Sequence, residues 1–207
     1  MITEQDIKQA EKNVILYLQD GLLKREPSNS RFVQFYLDNA KMSLQLADYL
    51  LVISTDPESK KRAGFAQDYE CLLWVVVIAY YSMFYTANAA LAKLGLKVGD
   101  KIPHKVTQDA LITNFLKNGR LAKTLLEDYR TTQSEVLGIM NLNEEDLLKD
   151  FQIKASELIA TFDYQRRKRG EFQYQIGSDV KKHVAELSLN RSKMFMKEMV
   201  VVIDLSK

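Results

Sequence analysis

The run Arg166-Arg167-Lys168-Arg169, with Tyr164 before it and Phe172 and Tyr174 after it, combines two side-chain types that nucleic acids demand. Guanidinium and ammonium groups neutralise phosphates, and aromatic rings give unpaired bases a surface on which to stack. Spacing singles out one of these cations. Leu148, Phe151, Ala155, Leu158 and Phe162 make a helical apolar stripe, and Arg169, seven residues beyond Phe162, prolongs that stripe. A guanidinium in that position needs an anion or acceptor, within the chain, across a subunit seam or on a ligand phosphate. The same run also reads as a solvated helix end, where basic residues complement the helix dipole by about 0.3–1 kcal/mol each.

Other chemistry-bearing residues are few. His104 follows Pro103 at a helix start, a position where an imidazole is more often a structural hydrogen-bonding group than a catalyst. His183 falls one turn into the last helical segment and reads as a surface residue. With a single cysteine, Cys71, and two histidines far apart, no zinc site is implied and no disulfide can form within the chain. The eight glycines form neither a phosphate loop nor a dinucleotide fingerprint, so no cofactor is expected.

The elements that would position these residues are helices. Glycine and proline are sparse, at 8 and 3 in 207 residues, helix formers abound, and no alternating segment is bounded by turn signals. An all-α fold without a sheet is therefore expected. Its organising element is Cys71 to Ala92, 22 consecutive residues without a formal charge. A helix apolar on every side is a membrane span or the rod of a bundle. Tyr80, Tyr81, Ser82, Tyr85, Thr86 and Asn88 favour the rod, because each would need a partner in hydrocarbon. Two packing stripes are expected on it: Leu73, Val77, Tyr80, Phe84, Ala87 and Leu91, and Trp74, Ile78, Tyr81 and Tyr85.

Around the rod, Thr3 caps a first helix with the stripe Ile7, Ala10, Val14, Leu18 and Leu22. After Pro27, a second carries Phe32, Phe35/Tyr36, Asn39, Met42, Leu46, Tyr49/Leu50 and Ile53. Gly95 ends the rod. Helices follow over about His104–Lys117, Arg120–Met140 and Asn143–Arg169, and Ser178-Asp179 opens a last one through Ile203. The 29 basic and 27 acidic residues nearly balance, which excludes a globally basic nucleic-acid binder and makes any anion site local. A lone cysteine and an N-terminus without a signal pattern point to the cytoplasm.

Four features occur in an order that resembles the higher eukaryotes and prokaryotes nucleotide-binding (HEPN) domains. They are Ala79-Tyr80-Tyr81-Ser82-Met83-Phe84-Tyr85-Thr86-Ala87, Pro103-His104-Lys105, the turn Phe115-Leu116-Lys117-Asn118-Gly119-Arg120-Leu121, and Arg169-Gly170-Glu171-Phe172-Gln173-Tyr174. The similarity spans Phe32 to Ile203, so residues 1–30 read as an N-terminal helical extension and 31–207 as the HEPN-like domain. The resemblance implies a helical bundle that dimerises with its motif at the interface. It also implies a metal-independent endoribonuclease activity in many members, often toxins or defence proteins paired with a small nucleotidyltransferase.

The family motif is an Arg followed after four to six residues by a His. Arg169 matches the Arg, while Tyr174 stands at the His position, Gly170 replaces a frequent polar residue, and Ile176 falls where some toxins carry Tyr. An imidazole of pKa about 6.5 suits proton transfer at neutral pH, and a phenol of about 10 does not. The resemblance thus implies binding of RNA, a nucleotide or a partner protein through Arg166, Arg167, Lys168, Arg169 and Tyr174, with catalysis impaired or absent. Two alternatives stay open: a weak metal-independent ribonuclease using Arg169, supported by Tyr174 or His104, and a purely structural interaction module.

Overall fold

Thr3 begins the chain's first helix by a reciprocal cap: its hydroxyl accepts the Asp6 N–H at 3.2 Å, and the Asp6 carboxylate accepts the Thr3 N–H at 2.7 Å. The computed structural model describes residues 2–140 and 178–206. After helix α1 (Glu4–Gln19) come strand β1 (Leu23–Arg25), a 3-10 turn (Pro27–Phe32), α2 (Val33–Thr55) and the short α3 (Pro57–Arg62). Then follow α4 (Leu72–Lys93), β2 (Leu96–Val98), α5 (Pro103–Leu111), a π turn (Ile112–Leu116), α6 (Lys123–Met140) and the last helix, α7 (Ser178–Leu205). The helix expected over Asn143–Arg169 lies outside the described residues.

The fold is a helical bundle around α4, as its uncharged composition requires. Helices α2, α5, α6 and α7 all pack on it, and although α4 is long and apolar enough to cross a bilayer, most of its residues are buried inside the bundle. Its faces differ from the two expected stripes. Val77, Tyr80, Ala87 and Leu91 are buried, but Leu73 is exposed, and Trp74, Ile78, Tyr81, Phe84 and Tyr85 are only partly covered. The most enclosed line is instead Val75, Val76, Ala79, Ser82, Met83, Thr86 and Ala90. Neighbours on several sides enclose this line together with the Tyr80 ring, while Trp74, Tyr81, Phe84 and Tyr85 are only partly covered by the surrounding helices.

Small residues also decide how α2 meets the rod. Ala40 and Ala47 are fully buried, and the Ser82 hydroxyl donates to the Ala40 carbonyl at 2.8 Å, an approach that a larger side chain at position 40 would obstruct. Of the larger apolar residues that mark this helix, Phe35, Met42, Leu46 and Tyr49 face outward, whereas Tyr36 and Leu50 are partly buried against the core. Ile53, at the end of that series, is fully buried.

The expectation of no sheet is corrected by an antiparallel pair, β1 with β2, in the register Leu23↔Val98, Lys24↔Lys97, Arg25↔Leu96. Each strand has three residues, too few for a visible alternation. Both follow glycines in the left-handed region, Gly21 and Gly95, which turn the chain out of α1 and α4. The ribbon binds the N-terminal segment to the rod, and Ile2, Ala10, Val14, Tyr17 and Leu23 belong to the same core as α4. Residues 1–30 extend the chain without adding a second core.

Candidate functional site

His104 is positioned by an unusual helix start. Ile102, just before Pro103, has φ 44°, a left-handed conformation that a β-branched residue adopts only under constraint. Pro103 supplies the fixed φ and missing N–H that suit a first helical turn. The strained entry turns the imidazole into the bundle, where it is 3% exposed and its ring lies 4.4 Å from that of Phe84.

There it joins Tyr80, Tyr129 and Gln133, all buried. The Tyr80 hydroxyl is 2.7 Å from His104 Nδ1, 3.1 Å from Gln133 Nε2 and 3.5 Å from the Tyr129 hydroxyl. One assignment satisfies the closest contacts together: Tyr80 donates to Nδ1 of a neutral imidazole and accepts from Gln133. Burial lowers the His104 pKa to about 4, and it raises both phenols, Tyr80 under the added influence of Tyr129. At neutral pH the cluster is thus an uncharged hydrogen-bond network tying α4, α5 and α6 together. Chemically it can hold a geometry, and it carries no proton to give at pH 7. The sequence offered a faint sign of it in Pro103-His104 and the tyrosine-rich rod, while Tyr129 and Gln133 stand in a segment with no motif.

A second polar node fixes the N-terminal helix. Asp109 on α5, 2% exposed, accepts from Asn13 Nδ2 and from the Tyr17 hydroxyl, each at 2.9 Å, with Lys105 Nζ at 3.4 Å. Burial, and then the Asp109 charge, push the Tyr17 phenol well up. A buried carboxylate so fully partnered is a structural anchor.

Of the residues singled out in the sequence, Arg166, Arg167, Lys168, Arg169 and Tyr174 lie outside the described residues, His104 is in the core and His183 is exposed on α7. The structure does describe the helices on either side of this stretch, α6 and α7. Glu135 on α6 accepts from Ser188 at 2.6 Å and from Arg191 at 2.7 Å, and the Tyr129 and Phe195 rings are 5.5 Å apart, so α6 and α7 are antiparallel. Met140 and Ser178 therefore lie at the same end of the bundle. Lys181, bonded to Glu70 at 2.8 Å, puts that end beside the start of α4. Among the described residues no group of three or more His, Cys, Asp or Glu gathers in a way that would hold a metal ion. Set beside models of protein families, curated proteins and solved structures, the chain matches none of them.

Proposed function

We propose that this chain is a HEPN-like binding protein whose ligand is RNA or a nucleotide, held through Arg166, Arg167, Lys168, Arg169 and Tyr174. A partner protein docked on the same edge is the variant of this reading without nucleic acid. Its setting is cytoplasmic, as a homodimer in a toxin–antitoxin or defence pair beside a nucleotidyltransferase. The observation that supports it is the basic, aromatic-interleaved run of the sequence, carried by a chain whose described residues form a helical bundle built on a tyrosine-rich rod. Anions gain from several cations brought to one edge, and rings beside them favour a base over a bare phosphate.

Catalysis is impaired or absent in this reading, because Tyr174 occupies the position of the proton-transferring His. The alternative, a weak metal-independent endoribonuclease, rests on Arg169 stabilising the charge of a pentacoordinate phosphate. His104 is a poor partner for that chemistry: it is enclosed, and a group of pKa about 4 is almost wholly deprotonated at pH 7.

The test compares single-stranded RNA binding by Arg169→Ala and Arg166→Ala, followed by RNA cleavage in the presence of a chelator. Arg169→Ala is expected to weaken binding more, since in the sequence Arg169 alone of the four cations prolongs the apolar stripe. Wild type is expected to cleave little, Tyr174→His to cleave more, and the gain to vanish on adding Arg169→Ala. Equal loss in the two arginine variants would remove the site. Strong wild-type cleavage that survives Arg169→Ala would place the chemistry elsewhere.

A further inference from the structure

The loop between α3 and α4 holds an aromatic ring in the open. Phe65 is 40% exposed, and its ring lies flat on that of Tyr69, with centroids 4.2 Å apart and planes 9° from parallel. Tyr69 is the inner member: it is half-buried, and its phenol is raised by burial and then by the Cys71 thiol beside it. Backbone bonds tie the loop down. The Phe65 N–H donates to the Lys60 carbonyl at 3.0 Å, the Gly64 N–H to that of Lys61 at 3.1 Å and the Tyr69 N–H to that of Ala66 at 3.1 Å. Lys60 Nζ reaches the Gln67 carbonyl at 2.9 Å, and at the loop's end the Cys71 N–H donates to the Ser54 hydroxyl at 3.0 Å. The stack covers one face of the Phe65 ring, so its exposure belongs to the other face and the edges.

The same turn carries cations. Lys60, Lys61 and Arg62 form the last turn of α3, directly before the ring. Of the four carboxylates between positions 56 and 70, Asp56 is taken up by the Ser59 N–H at 2.8 Å and Glu70 by Lys181 at 2.8 Å, which leaves Glu58 and Asp68. Across a cavity of about 240 Å³ stands Lys182 of α7, which lines it together with Lys60 and Asp68. Arg62 reaches the Ser59 hydroxyl at 3.4 Å and stays in the field of Asp56. Lys61 is exposed and, among the described residues, has no ion-pair partner, which makes it the cation most open to a ligand.

We infer that Phe65 is a stacking platform for a nucleobase that carries a phosphate, with Lys61 as the phosphate contact. A flat ring held from behind offers the surface that any base can use, and a cation on the same turn favours a phosphorylated ligand over a bare nucleoside. An apolar dock for a protein would continue into apolar neighbours. Around this ring Lys61, Arg62, Gln67 and Asp68 are polar and exposed. The platform shares a class of ligand with the reading through Arg166 to Arg169 but none of its residues, so either can hold without the other.

A free nucleotide and one unit of a single strand present the same chemistry, and the test separates them. Phe65→Trp is titrated with adenosine monophosphate and with an adenosine single strand of about ten nucleotides. Wild type, whose one tryptophan is Trp74, serves as the blank. Saturable quenching confined to Phe65→Trp is expected; quenching by both ligands marks a free-nucleotide site, and by the strand alone a strand site. Adding Lys61→Ala is expected to weaken the phosphorylated ligand several-fold and to leave adenosine unchanged. In strand binding, Phe65→Ala and Phe65→Leu are each expected to lose about five- to a hundred-fold in affinity and Phe65→Tyr to keep it, all with unchanged helical circular dichroism. No quenching by either ligand, or a Lys61→Ala variant indifferent to the phosphate, would overturn the assignment. So would a Phe65→Leu variant that binds as tightly as wild type, the mark of an apolar contact such as a protein partner makes. Strand affinity lost in Arg169→Ala but kept in Phe65→Ala would remove the platform and leave the basic run, and the reverse would remove the run and leave the platform.

Discussion

At pH 7 the folded chain keeps His104 neutral, and that has a measurable cost in acid. An exposed imidazole in the unfolded chain titrates near 6.5, whereas burial holds His104 at about 4 when folded. Between those values the unfolded chain binds the extra proton, so stability is fully present above about 6.5 and falls as pH drops toward 4. The full effect is on the order of 3 kcal/mol. Urea unfolding at about pH 7 and about pH 4.5 should therefore show a fall that is markedly smaller in His104→Gln, which keeps an acceptor for Tyr80 and cannot titrate. Asp6, Glu26 and Asp56, held low chiefly by their bonds to Thr3, Lys97 and Ser59, also lose stabilisation in acid. They do so in both proteins, and the comparison removes them. Equal falls in the two proteins would mean that His104 is not buried neutral. Tyr80, Tyr129 and Tyr17 are raised rather than lowered and add nothing in this range.

Two glycines in helical surroundings should respond to alanine with opposite signs. Gly95 ends α4 with φ 68°, and a Cβ there would sit 3.0 Å from the Pro27 Cα, so both the conformation and the space refuse a side chain. Gly95→Ala is expected to destabilise by about 1–3 kcal/mol. Gly138, inside α6, has nothing within 4 Å of the point where an alanine methyl would stand, and Gly138→Ala should stabilise by about 0.5–1 kcal/mol. Thermal unfolding of both variants checks this, and a shift of the same sign in both would refute it. The Gly95 stop was legible in the sequence, as were the rod, the Thr3 cap and the helix after Pro27. The outward stripe of α2 was not. A regular spacing of Phe35/Tyr36, Met42, Leu46 and Tyr49/Leu50 identifies a helix but does not say which member of each pair faces the core. Here close approach at Ala40 and Ala47 decides it, and alanines carry little weight in a hydrophobic pattern. The ribbon of Leu23–Arg25 with Leu96–Val98 escaped for a related reason, since pairing 71 to 75 positions apart leaves no mark in either tripeptide.

For the whole molecule, the near balance of 29 basic against 27 acidic residues turns the salt dependence of binding into a probe of one place. A globally basic protein attracts RNA over much of its surface, and removing one cation changes the slope little. With a net charge of +2, an RNA contact must draw on a local group of cations. The candidate group, Arg166 through Arg169, lies outside the described residues, and helical spacing ties Arg169 to its own stripe in the sequence while saying nothing of which neighbour that stripe meets. Four phosphate contacts to a single strand predict a plot of log binding constant against log salt with a slope of about −3. Each cation removed from the run should reduce that slope by about 0.7. Lys24→Ala, on the outer face of the β ribbon and away from the run in sequence, should leave the slope unchanged. Titrations with single-stranded RNA at several salt concentrations decide among the readings. A slope near zero would favour an interaction module, while a steep slope that Arg166→Ala and Arg169→Ala leave unaltered, but Lys24→Ala reduces, would move the contact to the ribbon.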